Sequence, residues 1–315
     1  MSEDAKELRL AMLGMIEGNG HPYSWSAIIN GYHQVEMAKC PYAGIPIYLG
    51  KQPLHSVRIP GARVTHLWTD DPADAPKVAA ASLIEHVVES PEDVLGQVDA
   101  VVIATDDGTD HVRRAGPFIE AGLPVFIDKP LATTLPELRQ FVRWHREGKV
   151  ILSTSGMRYA PEMRADFSHL GDLRWITSFT CKTWERYGIH ALEAVEPLLG
   201  PGFLTAQTHT DTGGDVVHLT HRCGVKVTIG ALHDAYGSFG AVHLYGTKGD
   251  LPLKLTDTYH AFRAQLVAFI EMLRTGVRPL PFEETVELMA VIIAGLRSRE
   301  RGGAAVPIAE ILSEL

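Results

Sequence analysis

Cysteine is scarce in this chain. Cys40, Cys181 and Cys223 are odd in number and widely separated, which argues against a disulfide framework and fits a reducing cytoplasm. Long hydrophobic runs are also missing, so no segment is expected to cross a membrane. The first residues, Met1 to Lys6, are polar and lack the basic and apolar regions of a signal peptide, so none is expected. Positive charge is in deficit: 29 Lys and Arg stand against 38 Asp and Glu, a formal net charge of −9. Without a basic stripe, neither nucleic acid nor an anionic membrane is an expected partner. Histidines number fifteen, yet HExxH and CxxC spacings are absent, so no metal site is expected. Internal repeats and low-complexity tracts are absent as well.

What is present is an alternation of strand and helix signals. A first strand, Leu8 to Leu13, runs into a loop holding Gly14, Gly18, Asn19, Gly20 and His21, and a helix is expected to open at Ser24 or Ser26. Strand, glycine-rich turn and helix is the layout that sets a phosphate on a helix N-terminus. The spacing is not GxGxxG, because Ile16 occupies the second glycine position, so a glycine-rich surface loop is the competing reading. The expected phosphate cradle runs from Gly14 to Trp25. A second strand, Ala62 to Trp68, ends at Asp70 and Asp71, one of which would accept from an adenosine ribose or else cap the next helix. Between them, Tyr32 to Pro60 form a Pro/Gly/Tyr-rich insert, expected to be a loop beside the cleft or a subunit contact.

The apolar strand Val98 to Ala104 opens onto Thr105, Asp106 and His111. After a helix, Pro124 to Ile127 have the makings of a buried strand, and Asp128-Lys129-Pro130-Leu131 follows at once. Ligands bind at the carboxyl ends of strands in open parallel sheets, which marks Asp128 and Lys129. Helix Leu135 to Arg146 and strand Val150 to Ser153 complete a β-α-β pattern predicting a doubly wound parallel sheet, a dinucleotide-binding domain over residues 1–156.

Residues 157–315 read differently. Strand-like stretches at Leu173–Thr183, Val216–His221, Val225–Leu232 and Ala241–Tyr245 cluster around one helix, Gly188–Leu199, and two long helices close the chain. This predicts an α+β domain with an open, mainly antiparallel sheet. Its apolar face, with Val225, Val227 and Ile229, and the shortage of helix to cover the other face predict a homo-oligomer, a dimer or tetramer.

Taken together, Ala121 to Ala132 with its Asp-Lys-Pro-Leu segment, His111, Gly156-Met157-Arg158-Tyr159, Gly188-Ile189-His190-Ala191-Leu192-Glu193 and Tyr245-Gly246-Thr247-Lys248-Gly249 resemble the Gfo/Idh/MocA family of sugar-handling dehydrogenases. The resemblance covers nearly the whole chain. It implies NAD(P)-dependent oxidation of a sugar, sugar-derivative or cyclitol hydroxyl, with Lys129 polarising the reacting oxygen and His190 taking its proton. The acids after the second strand favour NAD over NADP, because a 2′-phosphate would meet negative charge. Glu193, one turn beyond His190, is the expected carboxylate to orient the imidazole. Arg158, Tyr159, Trp184, Arg186, Tyr187 and His190 are the expected substrate contacts. The family carries an Asp four residues before its histidine; here that position is Arg186, which is expected to lower the basicity of His190 and to hold a substrate oxygen or acidic group. A relative that binds nucleotide or sugar without turnover stays open as the alternative.

Overall fold

The computed structural model describes residues 6–315. Its first sheet contains β1 (Leu8–Leu13), β2 (Ala62–Trp68), β3 (His86–Val87), β4 (Ala100–Ile103), β5 (Val125–Ile127) and β6 (Ile151–Leu152), in spatial order β3-β2-β1-β4-β5-β6. All its pairings are parallel. Successive side chains of a strand point to opposite faces. Leu10, Met12, Ala100, Val102 and Phe126 therefore enter one core, and Ala11, Leu13, Val101, Ile103, Val125 and Ile127 enter another. Burial on both faces is why these strands read as apolar runs. The strand order reverses between β1 and β4, where a doubly wound sheet opens a crevice at its carboxyl ends.

The helices of this half are α1 (His21–Asn30), α2 (Gln34–Met37), α3 (Gly44–Gly50), α4 (Ala75–Ser82), α5 (His111–Glu120) and α6 (Leu135–Arg146). Helix α1 opens earlier than its serines suggest, with Gly20 before its first turn and Pro22 inside that turn, where a missing N–H costs nothing. Ser24 and Ser26 are fully buried. The Tyr32–Pro60 insert is not the expected loop. It folds into α2 and α3, and Met37, Ile45, Leu49, Val57 and Ile59 join the core beneath α1. Its apolar content is thus spent on packing.

The second sheet has β7 (Leu173–Cys181), β8 (Phe203–Asp211), β9 (Gly214–His221), β10 (Lys226–Leu232), β11 (Ala241–Gly246), β12 (Gly249–Lys254) and β13 (Val306–Pro307), in order β12-β11-β7-β10-β9-β8-β13. Its strands pair antiparallel except β7 with β10. Helix α7 (Trp184–Leu199) enters directly from β7; α8 (Thr258–Thr275), α9 (Phe282–Glu300) and the short α10 (Ile308–Leu312) follow. Val225, Val227 and Ile229 are buried in the core that includes Leu192 of α7 and Ile292 of α9, so the chain covers that face itself. The other face presents Trp175, whose indole donates to Thr228 at 3.0 Å, with His218 3.1 Å from the same hydroxyl.

One helix crosses the expected boundary at residue 156. The apolar face of α8, with Leu266, Phe269, Ile270 and Met272, packs into the core on the α1 side of the first sheet. Phe269 lies 5.4 Å from Phe126 of β5, ring centre to ring centre.

Candidate active site

At the carboxyl ends of β1, β2 and β4 a cavity is lined by Gly14, Trp68, Glu92, Ile103, Arg113 and Arg114, among others. Gly14 has φ +91°, and a Cβ there would lie 2.7 Å from Cγ2 of Thr105, so only glycine lets the loop pass. Gly18 also adopts positive φ. Asp70 accepts from the Met15 N–H at 2.9 Å and pairs with Arg114 at 2.8 Å, fixing it between the loop and the cavity wall. Thr105 is fully buried and its hydroxyl has no partner among the described residues. A left-handed glycine, an acid at the end of β2 and an orphaned hydroxyl at the switch point fit a dinucleotide.

Several residues expected at this cofactor serve the protein instead. Ser24 accepts from the Tyr48 hydroxyl, and Trp25 is buried against Phe126; both lie on the inward face of α1. Gly20 is needed because a Cβ would meet the Tyr42 ring at 2.6 Å. Asp71 accepts from the Ala73 N–H and so shapes the turn before α4. The His111 ring spans the carbonyls of Thr105 and Leu131 at 2.9 and 3.2 Å, fully buried, bracing two loops. Asn19 donates to the Ala104 carbonyl and to Asp128, both at 3.1 Å, tying the loop to the ends of two strands.

Deeper in the crevice the chain gathers ionisable groups. Asp128 and Lys129 leave β5 together, through a cis Lys129–Pro130 peptide. Asp128 also accepts from His21 at 2.8 Å. The Lys129 ammonium, 3% exposed, lies 3.6 Å from Asp106 and 4.0 Å from Asp128. Asp106 takes Arg186 on its other oxygen at 2.5 Å. Burial alone would raise the Asp106 carboxyl, but Lys129 and Arg186 outweigh it and hold it at about 2.

Tyr187 links this group to α7. Lys129 stands 4.9 Å from its ring centre and Lys182 4.3 Å. The His190 ring is 4.9 Å from it, edge to face. His190 Nδ1 meets Ser155 Oγ at 2.7 Å. Its pKa lies well below the ordinary value, because burial disfavours the imidazolium and Lys129, His21 and Lys182 add like charge. Lys129, just after β5, and His190, on α7, thus meet around one aromatic ring.

Glu193 does not orient His190 as expected. It bonds Arg158, which also reaches Glu196 at 2.6 Å and Glu284 at 2.9 Å. Arg158 is 4% exposed, so this cluster ties the 156–159 turn to α7 and α9 rather than meeting substrate. Burial pushes the Tyr159 hydroxyl up to about 12. Trp184 is a core residue: its indole donates to the Ile292 carbonyl at 3.0 Å. Of the residues expected on the substrate, Arg186, Tyr187 and His190 are the ones gathered around Lys129. Basicity at His190 is lowered by burial first and then by Lys129, His21 and Lys182, while Arg186 is turned onto Asp106.

Lys182 and Ser155 were not anticipated. Lys182 has a readable signal, a cation directly after a strand and before a helix, as at Lys129. Ser155 has none, because its role depends on a helix thirty-five residues further along the chain.

Residues 47–155 match the profile of a family described as "Oxidoreductase family, NAD-binding Rossmann fold". Inositol 2-dehydrogenase 1 of Saccharopolyspora erythraea is 35% identical over 124 residues, 36% of this chain and 36% of that protein. Inositol 2-dehydrogenase of Rhodococcus erythropolis is 36% identical over 104 residues, 32% of this chain and 30% of that protein. The matched stretch therefore spans about a third of the length of these relatives. A myo-inositol 2-dehydrogenase structure from Lactobacillus plantarum superposes with TM-score 0.75 at 14% identity, covering 96% of this chain and 99% of that one. At that identity the likeness is one of fold.

Proposed function

We propose that the chain is a member of the Gfo/Idh/MocA oxidoreductases, whose NAD-binding profile its residues 47–155 match, and that it is an NAD-dependent dehydrogenase acting on a CH–OH group of a sugar, sugar derivative or cyclitol. The observation that carries the reading is the meeting of Lys129, at the end of β5, with His190 of α7 around the Tyr187 ring. Gly14, Gly18, Asp70, Thr105 and Asp106 would hold the dinucleotide; when bound, NAD supplies the hydride acceptor. Asp70 beside a ribose favours NAD over NADP.

The protein's own part is proton and charge management. A carbinol cannot lose hydride without losing its O–H proton, so a neutral base is required. The depressed pKa keeps His190 neutral at pH 7. With Nδ1–H donating to Ser155, Nε2 is left bare to take the proton. The Lys129 ammonium donates to the reacting oxygen and stabilises its developing negative charge. Asp106 and Asp128 keep that ammonium in place. The competing reading, binding without turnover, draws on Arg186 at the position of the family's Asp and on the departure of the Gly14–Gly20 loop from GxGxxG.

The test is NAD and NADP binding followed by a polyol and sugar panel read at the nicotinamide absorbance. Lys129→Ala and His190→Ala should each cost on the order of a hundredfold or more in turnover. Near-normal turnover in both would leave the binding reading. A soluble cytoplasmic homo-oligomer joined through the Trp175 face completes the proposal; Trp175 is 42% exposed there. Light scattering at micromolar concentration should return a mass above that of one chain.

A further inference from the structure

The crevice holds more positive charge than alcohol oxidation needs. Lys129 is accounted for by the reacting oxygen, yet Lys182 and Arg186 stand beside it on the β7–α7 junction. Lys182 has a left-handed backbone, φ +60°, an unfavourable conformation for a residue with a side chain. Its ammonium lies 4.3 Å from the Tyr187 ring centre, and among the described residues no hydrogen bond or ion pair holds it. Arg186 spends one nitrogen on Asp106, while its Nε is buried without a partner. Asp106 and Asp128 set two negative charges against these three cations, and Asp128, which lies 4.0 Å from Lys129, also accepts from His21, Asn19 and its own neighbour's N–H, so one cation is left without a counter-charge.

We propose that Lys182 and Arg186 form a carboxylate clamp, so that the substrate is an acid, a polyhydroxy carboxylate such as a sugar acid, rather than a neutral polyol. This rests on the dehydrogenase reading of the same site. The chemistry is direct. A carboxylate has two oxygens and can take the guanidinium Nε–H on one and the ammonium on the other. Neither donor has to break an existing bond to do so. An uncharged hydroxyl would satisfy one donor and leave the other cation without a counter-charge in a half-buried site. The rival claimant is the cofactor pyrophosphate, because Lys182 Nζ would lie 3.6 Å from a Cβ at Gly18 of the nucleotide loop. Arg186 decides for substrate: it sits on the Asp106 and Lys129 side, where the reacting carbon must be.

The experiment pairs substrates that differ in one group: glucuronate with glucose, galacturonate with galactose, gluconate with glucitol. Binding to the NADH-loaded protein is measured by calorimetry, and turnover with NAD separately. The acid of at least one pair should bind ten times or more tighter than its neutral partner. Lys182→Met and Arg186→Met should each reduce that acid-to-neutral ratio about tenfold, and Arg186→Lys should restore part of it. NADH affinity, followed by nicotinamide fluorescence, should stay within about twofold in Lys182→Met. Equal binding of acid and neutral partners would overturn the clamp. So would a loss of NADH affinity in Lys182→Met matching its loss of acid binding, which would assign the lysine to the pyrophosphate. Acid binding without turnover would support the clamp and sink the dehydrogenase reading; turnover of neutral polyols without acid preference would do the reverse.

Discussion

At the residue scale, Gly14 and His190 make the sharpest demands. Gly14→Ala forces a side chain into a left-handed backbone and against Thr105, 2.7 Å away. The loop must shift, at a cost of about 1–3 kcal/mol. NADH titration should show an affinity loss of tenfold or more, while the folded core, which does not rest on this loop, keeps its far-UV spectrum. His190 predicts a pH dependence. Its folded pKa is depressed, so it stays neutral as pH falls below the ordinary histidine value of 6.5. In the unfolded chain it binds a proton near that value. The unfolded state thus takes up more protons below pH 6.5, and stability falls as pH drops through that region. His190→Gln should flatten part of this fall in urea titrations between pH 7 and 5. A slope identical to that of the parent protein would count against a buried neutral histidine. Lys129 was legible because its signal is local: a cation at the end of an apolar strand. Glu193 misled for the complementary reason. Helical spacing puts it near His190, but a buried arginine from another segment outbids the imidazole for its carboxylate.

At the element scale, strands buried on both faces and helices with one apolar stripe were readable, and β2 and α6 lie where periodicity sets them. Strand β8, with its polar Gln207, Thr208, His209 and Thr210, was not. Few of its side chains face the core, so pairing with β9 rather than hydrophobic pattern makes it a strand. The joint between the 156–159 turn, α7 and α9 was equally invisible, because it rests on Arg158 meeting Glu193, Glu196 and Glu284 from three separated segments. Burial raises the Glu196 carboxyl to about 7 even though Arg158 opposes it. Removing the arginine leaves several buried carboxylates without a counter-charge. Arg158→Ala should therefore destabilise the protein by about 3–5 kcal/mol at pH 8. Protonation relieves that repulsion, so the loss should shrink as pH falls below 7. Chemical denaturation of both proteins at pH 8 and pH 6 checks the sign. A loss that grew toward pH 6 would show that the cluster is not held by its arginine.

At the scale of the whole molecule, chain order and packing order differ. The parallel sheet ends at Leu152, yet one of its faces is closed by α8, which begins only at Thr258. Leu266, Phe269, Ile270 and Met272 are each 3% exposed or less. Burying four such side chains is worth roughly 6–12 kcal/mol, comparable to the roughly 5–15 kcal/mol that a whole domain retains. Polar contacts add to the joint: Tyr259 donates to the Val57 carbonyl at 2.9 Å, and Gln265 donates to the Thr154 carbonyl. A fragment ending at residue 156, where composition alone sets the boundary, would expose Phe126 and Leu152 and lose most of its stability. It should be expressed as an aggregating or molten chain with weak near-UV signal. Fusing residues 257–281 to it through a flexible linker should recover a cooperative urea transition and NADH binding, since α8 meets the sheet without help from the second sheet. A fragment of residues 1–156 that folded cooperatively alone would show that α8 is only a cover. A fusion that stayed unfolded would show that the second sheet is also required.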